Sequence, residues 1–247
     1  MPSSSEPARR RVLLFDVDGT LVHAGGAGRR SLERVLQREV GPLDHSLARL
    51  RLDGMTDRLI VREVLVALGR GFDDALCDRV LEGYVEALRE EIEGPGFQVL
   101  PGVTELLGTL SRSGTAMGLC TGNVAEGALL KLRRGGLDLF FEWGPEAVCG
   151  FAADGEARER IVEAALRRAA RRMGPAFRPT DALVVGDTPR DVSAARAVGV
   201  PVLAVATGRF GPAELLQSGA DLVLPSLVES AEMLLAWASG DAPLPGA

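Results

Sequence analysis

The sequence predicts an α/β fold: a parallel sheet with helices on both faces, plus an inserted all-helical cap domain after the first strand. Three observations carry this. A short apolar run, Val12 to Phe15, reads as a buried strand near the start of the chain. From 29 to 93 the apolar residues recur at helical spacing, with no strand-like run among them. From 103 to 238 strand-like and helix-like segments alternate, the pattern of a parallel sheet whose ligands bind beyond the carboxyl ends of its strands.

Taken in order, residues 1–10 read as a disordered lead-in, and the first strand then runs into Asp16, Asp18 and Gly19. Gly25, Gly26 and Gly28 break regular structure and suit a flexible crossing between two bodies. Three helical stripes follow: Leu32, Val35, Leu36 and Val40; then Ile60, Val61, Val64, Leu65 and Leu68; then Leu76, Val80, Tyr84, Leu88 and Ile92. Gly94-Pro95-Gly96 ends the helical block, and Leu100-Pro101-Gly102 punctuates again. Beyond it, strands are expected at 115–121, 181–187, 202–206 and 220–224. Helices are expected around Leu106, Leu130, Ala165, Ala194, 212–218 and 229–238. The division is a core of 11–24 with 97–240, a helical cap of 25–96, and loose tails at 1–10 and 241–247.

Composition narrows the function. The net charge of −6 gives no basic face for nucleic acid, and 4% aromatics leave few stacking platforms. Cys77, Cys120 and Cys149 are widely spaced and odd in number, which reads as free thiols in a reducing compartment rather than a disulfide framework. No stretch approaches the roughly 20 apolar residues of a membrane span, and the first apolar run is too short for a signal peptide. The expectation is a cytoplasmic protein, monomer or homodimer, without nucleic-acid or membrane partners.

The chemistry gathers where strands end. Asp16 and Asp18 stand at i and i+2, so an extended chain aims both carboxylates to one side. Such a pair calls for a cation, or for one carboxyl held protonated. Gly19 lets backbone approach a ligand, and Thr20 can fix the turn. A second strand runs out into Thr121-Gly122-Asn123, whose hydroxyl and N–H groups suit an anion or, equally simply, cap a helix. A third ends Gly186-Asp187-Thr188-Pro189-Arg190-Asp191, with Asp191 placed to cap the next helix. Hard carboxylate oxygens select Mg²⁺, which prefers few protein ligands and a shared phosphate. His23 and His45 are isolated and read as ordinary surface residues.

Asp-x-Asp-Gly-Thr-Leu, then Thr-Gly-Asn, then Gly-Asp-Thr-Pro-x-Asp, in this order, resemble the motifs of the haloacid dehalogenase superfamily, whose core is Rossmann-like. The helical insert makes the chain similar to members with helical caps, such as phosphoglycolate phosphatases and β-phosphoglucomutases. The resemblance implies Asp16 as nucleophile and Asp18 as acid/base, its backbone carbonyl also binding Mg²⁺. It implies Thr121 with Gly122, Asn123 and Gly19 at the phosphate, and Asp187 completing the metal set of Asp16, Asp18 and Asp187, supported by Asp191. The family's lysine between the second and third motifs has no counterpart at its place. The one lysine, Lys131, is expected a turn or more from the site, so Arg158 is the candidate replacement and Arg160 the second choice. Thr56 and Asp57, in Gly54-Met55-Thr56-Asp57, either contact substrate from the cap or cap a helix.

The activity implied is a Mg²⁺-dependent phosphatase acting on a small phosphorylated metabolite through an aspartyl-phosphate. A phosphomutase or a non-enzymatic phosphate-binding relative is the alternative. A dehalogenase has no need of Asp18, and a phosphonatase needs a cap lysine that residues 22–99 lack.

Overall fold

The computed structural model describes residues 11–43 and 51–244. The predicted disorder of 1–10 and of 245–247, and the reading of His45, fall outside these residues. Strand β1 (Val12–Phe15) precedes a short pair, β2 (Val22–Ala24) and β3 (Phe97–Val99). The remaining strands are β4 (Ala116–Leu119), β5 (Ala182–Gly186), β6 (Val202–Val205) and β7 (Leu222–Leu224). Five of them form one parallel sheet in the order β4-β1-β5-β6-β7. The first strand in sequence is therefore interior, with Leu14 in register with Gly118 on one side and Val184 on the other.

Its residues fit that place. All four side chains of β1 are 0% exposed, and each contributes about 1.5–3 kcal/mol by leaving water. Period-two alternation splits them between two cores. Leu13 and Phe15 pack with Leu183 and Val185 against α4 (Val103–Arg112), α5 (Ala125–Arg134) and α9 (Ala231–Ser239). Val12 and Leu14 pack with Val184 against α6 (Arg158–Met173) and α7 (Pro189–Ala197). A sheet covered this way needs apolar residues at every position, which is why β1 and β5 read as continuous runs. Helix α8 (Pro212–Gln217) joins β6 to β7. Where a loose tail is expected after Gly240, Leu244 is buried in the first of these cores.

Between β2 and β3 lie α1 (Ala27–Val40), α2 (Asp57–Ala67) and α3 (Asp74–Glu91). They have their own core, in which Leu36, Val61, Leu65, Val80 and Leu88 meet. The chain crosses to and from the insert at Gly25 and at Gly94–Gly96. The residues beside them pair as antiparallel β2 and β3, with His23 opposite Gln98, so the two crossings run together as a ribbon.

Gly118 shows how tightly β4 is covered. A Cβ there would overlap the carbonyl oxygen of Val148, a backbone atom that cannot swing aside. Gly118→Ala is expected to destabilise the protein by about 1–3 kcal/mol, the usual cost of overpacking, read as a lower urea midpoint with an unchanged slope.

Candidate active site

The polar residues foreseen at strand ends come together at the carboxyl edge of the sheet. Asp16 leaves β1 with its N–H still donating to the Val185 carbonyl at 2.9 Å, so its backbone stays in the ladder while its side chain clears the sheet. Gly19 turns the chain at φ 82°, and a side chain there would overlap the Asp187 carboxylate. Thr20 donates to Asp187 Oδ1 at 3.3 Å. Thr121, beyond β4, is fully buried; its hydroxyl bonds Asp16 and accepts from Asn123 Nδ2 at 2.8 Å.

Arg158 opens α6 and is buried, with Nη2 2.8 Å from Asp16 Oδ1 and in contact with Asp191 Oδ1. Arg160 lies on the surface, paired with Glu163 at 2.8 Å. The helix register thus puts the first of the two arginines in the site. Asp191 does two things. Its Oδ2 accepts from Thr188 N–H at 3.0 Å while its own N–H donates to Thr188 Oγ1, a capping box at the start of α7, and Oδ1 is left for Arg158.

Asp16, Asp187 and Asp191 hold carboxylate oxygens within 4.8 Å of one another, all three buried. Asp191, rather than Asp18, supplies the third side chain of this group. Burial pushes the pKa of Asp16 up to about 6 despite the Arg158 guanidinium, with Asp191 and Asp18 adding to the rise. Burial, then Asp191 and Asp16, pushes Asp187 well above the carboxylate range. One guanidinium faces three buried carboxyls, and hard oxygen donors this close suit a small divalent cation such as Mg²⁺.

The carboxylate of Asp18 turns elsewhere. Its Oδ2 accepts from Lys131 Nζ at 2.6 Å and from Asn123 Nδ2 at 2.8 Å, and Lys131 also donates to Asn123 Oδ1 at 2.6 Å. This corrects the expected remoteness of Lys131, which is 4% exposed and sits inside the site. Burial alone would lower its pKa, but Asp18, with Tyr84 and Asp57 near by, raises it above the usual lysine value and holds it charged. The signal lay in α5 itself. Gly127, Ala128, Lys131 and Leu132 form one buried stripe at i, i+4 spacing, while Leu129 and Leu130 are only half-buried.

The helical insert closes over these groups through its 54–57 segment. Arg158 Nη1 donates to the Gly54 carbonyl at 3.2 Å, Asp57 N–H to the Gly122 carbonyl at 2.8 Å, and Val124 N–H to Asp57 Oδ2 at 2.8 Å. Thr56 caps α2 through Leu59 N–H and donates to the Glu156 carbonyl at 2.9 Å. Thr56 is thus a helix cap, whereas Asp57 borders the cavity while tying the insert to the Thr121–Asn123 loop. Arg62 adds a two-bond pair with Glu156 at 2.7 and 2.8 Å. The cavity between the insert and the sheet edge is about 490 Å³. His23 lines it and its Nε2–H donates to the Thr207 carbonyl at 3.1 Å, so it is a site residue and not the ordinary surface residue expected. Gly208 and Arg209, after β6, also line the cavity.

A family model described as haloacid dehalogenase-like hydrolase matches residues 13–205. The chain belongs to this family. Its relatives include a phosphoglycolate phosphatase of Rhodospirillum rubrum, 32% identical over 202 residues, 80% of this chain and 80% of that one. Another, from Caulobacter vibrioides, is 31% identical over 225 residues, 88% of this chain and 87% of that one. The fold is shared with CbbY from Rhodobacter sphaeroides in complex with phosphate, at TM-score 0.65 and 19% identity over 90% of this chain and 96% of that one. A hydrolase from Pseudomonas syringae matches at TM-score 0.64 and 21% identity, over 91% and 98%. This haloacid dehalogenase-like hydrolase is a phosphatase of the phosphoglycolate phosphatase-like kind. No helix among its described residues is long and apolar enough to cross a membrane.

The raised carboxyl of Asp16 gives a signed prediction. Between an ordinary aspartate value of 3.8 and about 6, the folded protein keeps a proton that the unfolded chain has released. The stability this confers is complete below the lower value and is lost as pH rises through about 6. In EDTA, urea-unfolding stability is expected to fall across that window by on the order of 3 kcal/mol for this one carboxyl. Added Mg²⁺ is expected to restore stability above pH 6, with little effect below pH 4.

Proposed function

We propose that this hydrolase is a Mg²⁺-dependent phosphomonoesterase that transfers the phosphoryl group of a small metabolite to Asp16 and then to water. The observation that carries the reading is Asp16 itself. It is a buried carboxylate at the end of β1, held by Arg158 and Thr121, beside Asp187 and lining a cavity of about 490 Å³. A carboxylate placed this way serves as a nucleophile toward phosphorus, because it needs no proton removed and its orientation is fixed before substrate arrives.

In the first half-reaction an Asp16 oxygen bonds to phosphorus as the ester P–O bond breaks, and Asp18 gives its proton to the departing oxygen. In the second, Asp18 takes a proton from water as water bonds to phosphorus, and the bond to Asp16 breaks to release phosphate. Arg158 holds the phosphoryl oxygens and offsets the charge building on them, the part played by the family's lysine. Thr121 and the Gly122–Asn123 backbone bind a further phosphoryl oxygen, with Gly19 keeping the opposite wall close. Asp16, Asp187 and the Asp18 carbonyl, with Asp191 in support, would hold Mg²⁺, which would supply positive charge beside the entering dianion.

Phosphoglycolate is the substrate this reading favours. Four relatives bearing that name are 30–32% identical over 80% or more of the chain. The cavity is small, and residues 25–96 form a cap that excludes water and selects among metabolites. The test is phosphate release from phosphoglycolate and a panel of sugar phosphates, with Mg²⁺ and with EDTA. Mg²⁺-dependent release from phosphoglycolate is expected. Phosphoryl movement between sugar hydroxyls without release of phosphate would make the protein a mutase instead. Arg158→Ala is expected to lower kcat on the order of 10²-fold, and Arg160→Ala to leave it within about twofold. Reversed effects would contradict the assignment of the phosphate arginine.

A further inference from the structure

Lys131 is the only lysine in the chain, and it is buried where the family's motif lysine is not expected. A buried ammonium must be fully paired, and its donors go to specific atoms: Asp18 Oδ2 at 2.6 Å, Asn123 Oδ1 at 2.6 Å and the Tyr84 hydroxyl. Asn123 closes a triangle by donating to the same Asp18 oxygen at 2.8 Å. Two donors on one oxygen fix both the position and the rotation of a carboxylate that is otherwise 43% exposed at the cavity edge. Oδ1 is then the oxygen left to face a substrate.

We propose that Lys131 is a positioning residue for Asp18, holding Oδ2 so that Oδ1 meets the leaving oxygen of the ester. The holding group is shared between the two bodies of the protein. Lys131 lies on α5 of the core, Tyr84 on α3 of the insert, and Gly28 of α1 packs beside both. Asp18 is therefore aligned by a cluster that is complete only with the insert closed. Phe or Met in place of Lys131 would fill the space but would leave Asp18 only Asn123 to hold it.

This rests on the reading of Asp16 as nucleophile and Asp18 as acid/base, and the consequence is particular. Proton donation matters for an alkyl leaving group and hardly at all for 4-nitrophenolate. A residue that aligns the acid should therefore matter for one ester and not the other, whereas a merely structural residue affects both equally. The experiment is rapid-quench measurement of phosphoenzyme formation from phosphoglycolate and from 4-nitrophenyl phosphate, with wild type and Lys131→Met, both saturated with Mg²⁺. Formation from phosphoglycolate is expected to slow by about 10- to 100-fold, a large part of what general acid catalysis supplies, and from the aryl ester by less than about threefold. Equal slowing on both esters overturns the proposal. If Lys131→Met fails to fold, Lys131→Arg decides, since it keeps the charge but cannot reproduce the same pair of bonds. The same selective loss is expected, and wild-type rates on both esters overturn it. A wild-type protein that turns over both esters without any phosphoenzyme overturns the aspartyl-phosphate reading and this proposal with it, an outcome distinct from loss of selectivity alone.

Discussion

Carboxylates converging at the end of β1 are the constraint on which this structure depends. Asp16, Asp187 and Asp191 bring oxygens within 4.8 Å of one another in a place that water hardly reaches. Mutual repulsion and lost hydration both favour protonation there, and the upward shifts of Asp16 and Asp187 express that cost. Arg158 offsets part of it, pairing with Asp16 and Asp191 together. The carboxylate charge that remains uncompensated favours a divalent cation there. Binding of such a cation would thus relieve an unfavourable arrangement built into the sheet edge.

The insert completes the same electrostatic arrangement. Arg158 reaches up to the Gly54 carbonyl, and Asp57 reaches down to the Val124 N–H of the loop that carries Thr121. Tyr84, from the insert, closes around Lys131, which in turn holds Asp18. The groups that cover the cavity thus also contact the side chains beneath it. The antiparallel pairing of β2 with β3 sets the two chain crossings side by side as a common stalk.

Much of this was legible in the sequence, and the exceptions have physical reasons. Asp16, Thr121 and Asp187 could be placed because each follows an apolar run that can only be a buried strand. The polar residue after such a run has to emerge at the carboxyl edge. Arg158 is the first choice and Arg160 the second on resemblance alone, and it is the helix register in the structure that buries Arg158 and leaves Arg160 on the solvent side. Lys131 could not be placed, since leucines at 129 and 130 suggest a different buried face. The buried stripe includes Gly127, small enough to let Tyr84 of α3 approach, and Ala128, which packs in the sheet-side core. The β2–β3 ribbon was hidden because three-residue strands between glycines carry too little periodicity to register. His23 was misread for a related reason, since its partner, the Thr207 carbonyl, is 184 residues distant.

The claim that matters most is that Asp16, and not Asp18, carries the phosphoryl group. Two identical side chains, two residues apart, stand in different surroundings. One is buried against Arg158 and Thr121; the other is half open and held by Lys131 and Asn123. Acid quenching during turnover of a ³²P-labelled ester, followed by peptide mapping, tests this directly. The account predicts label on Asp16, absent in Asp16→Asn and still detectable with an aryl ester in Asp18→Asn. Label on Asp18, or an active enzyme that never acquires label, would contradict it and point to direct attack by water.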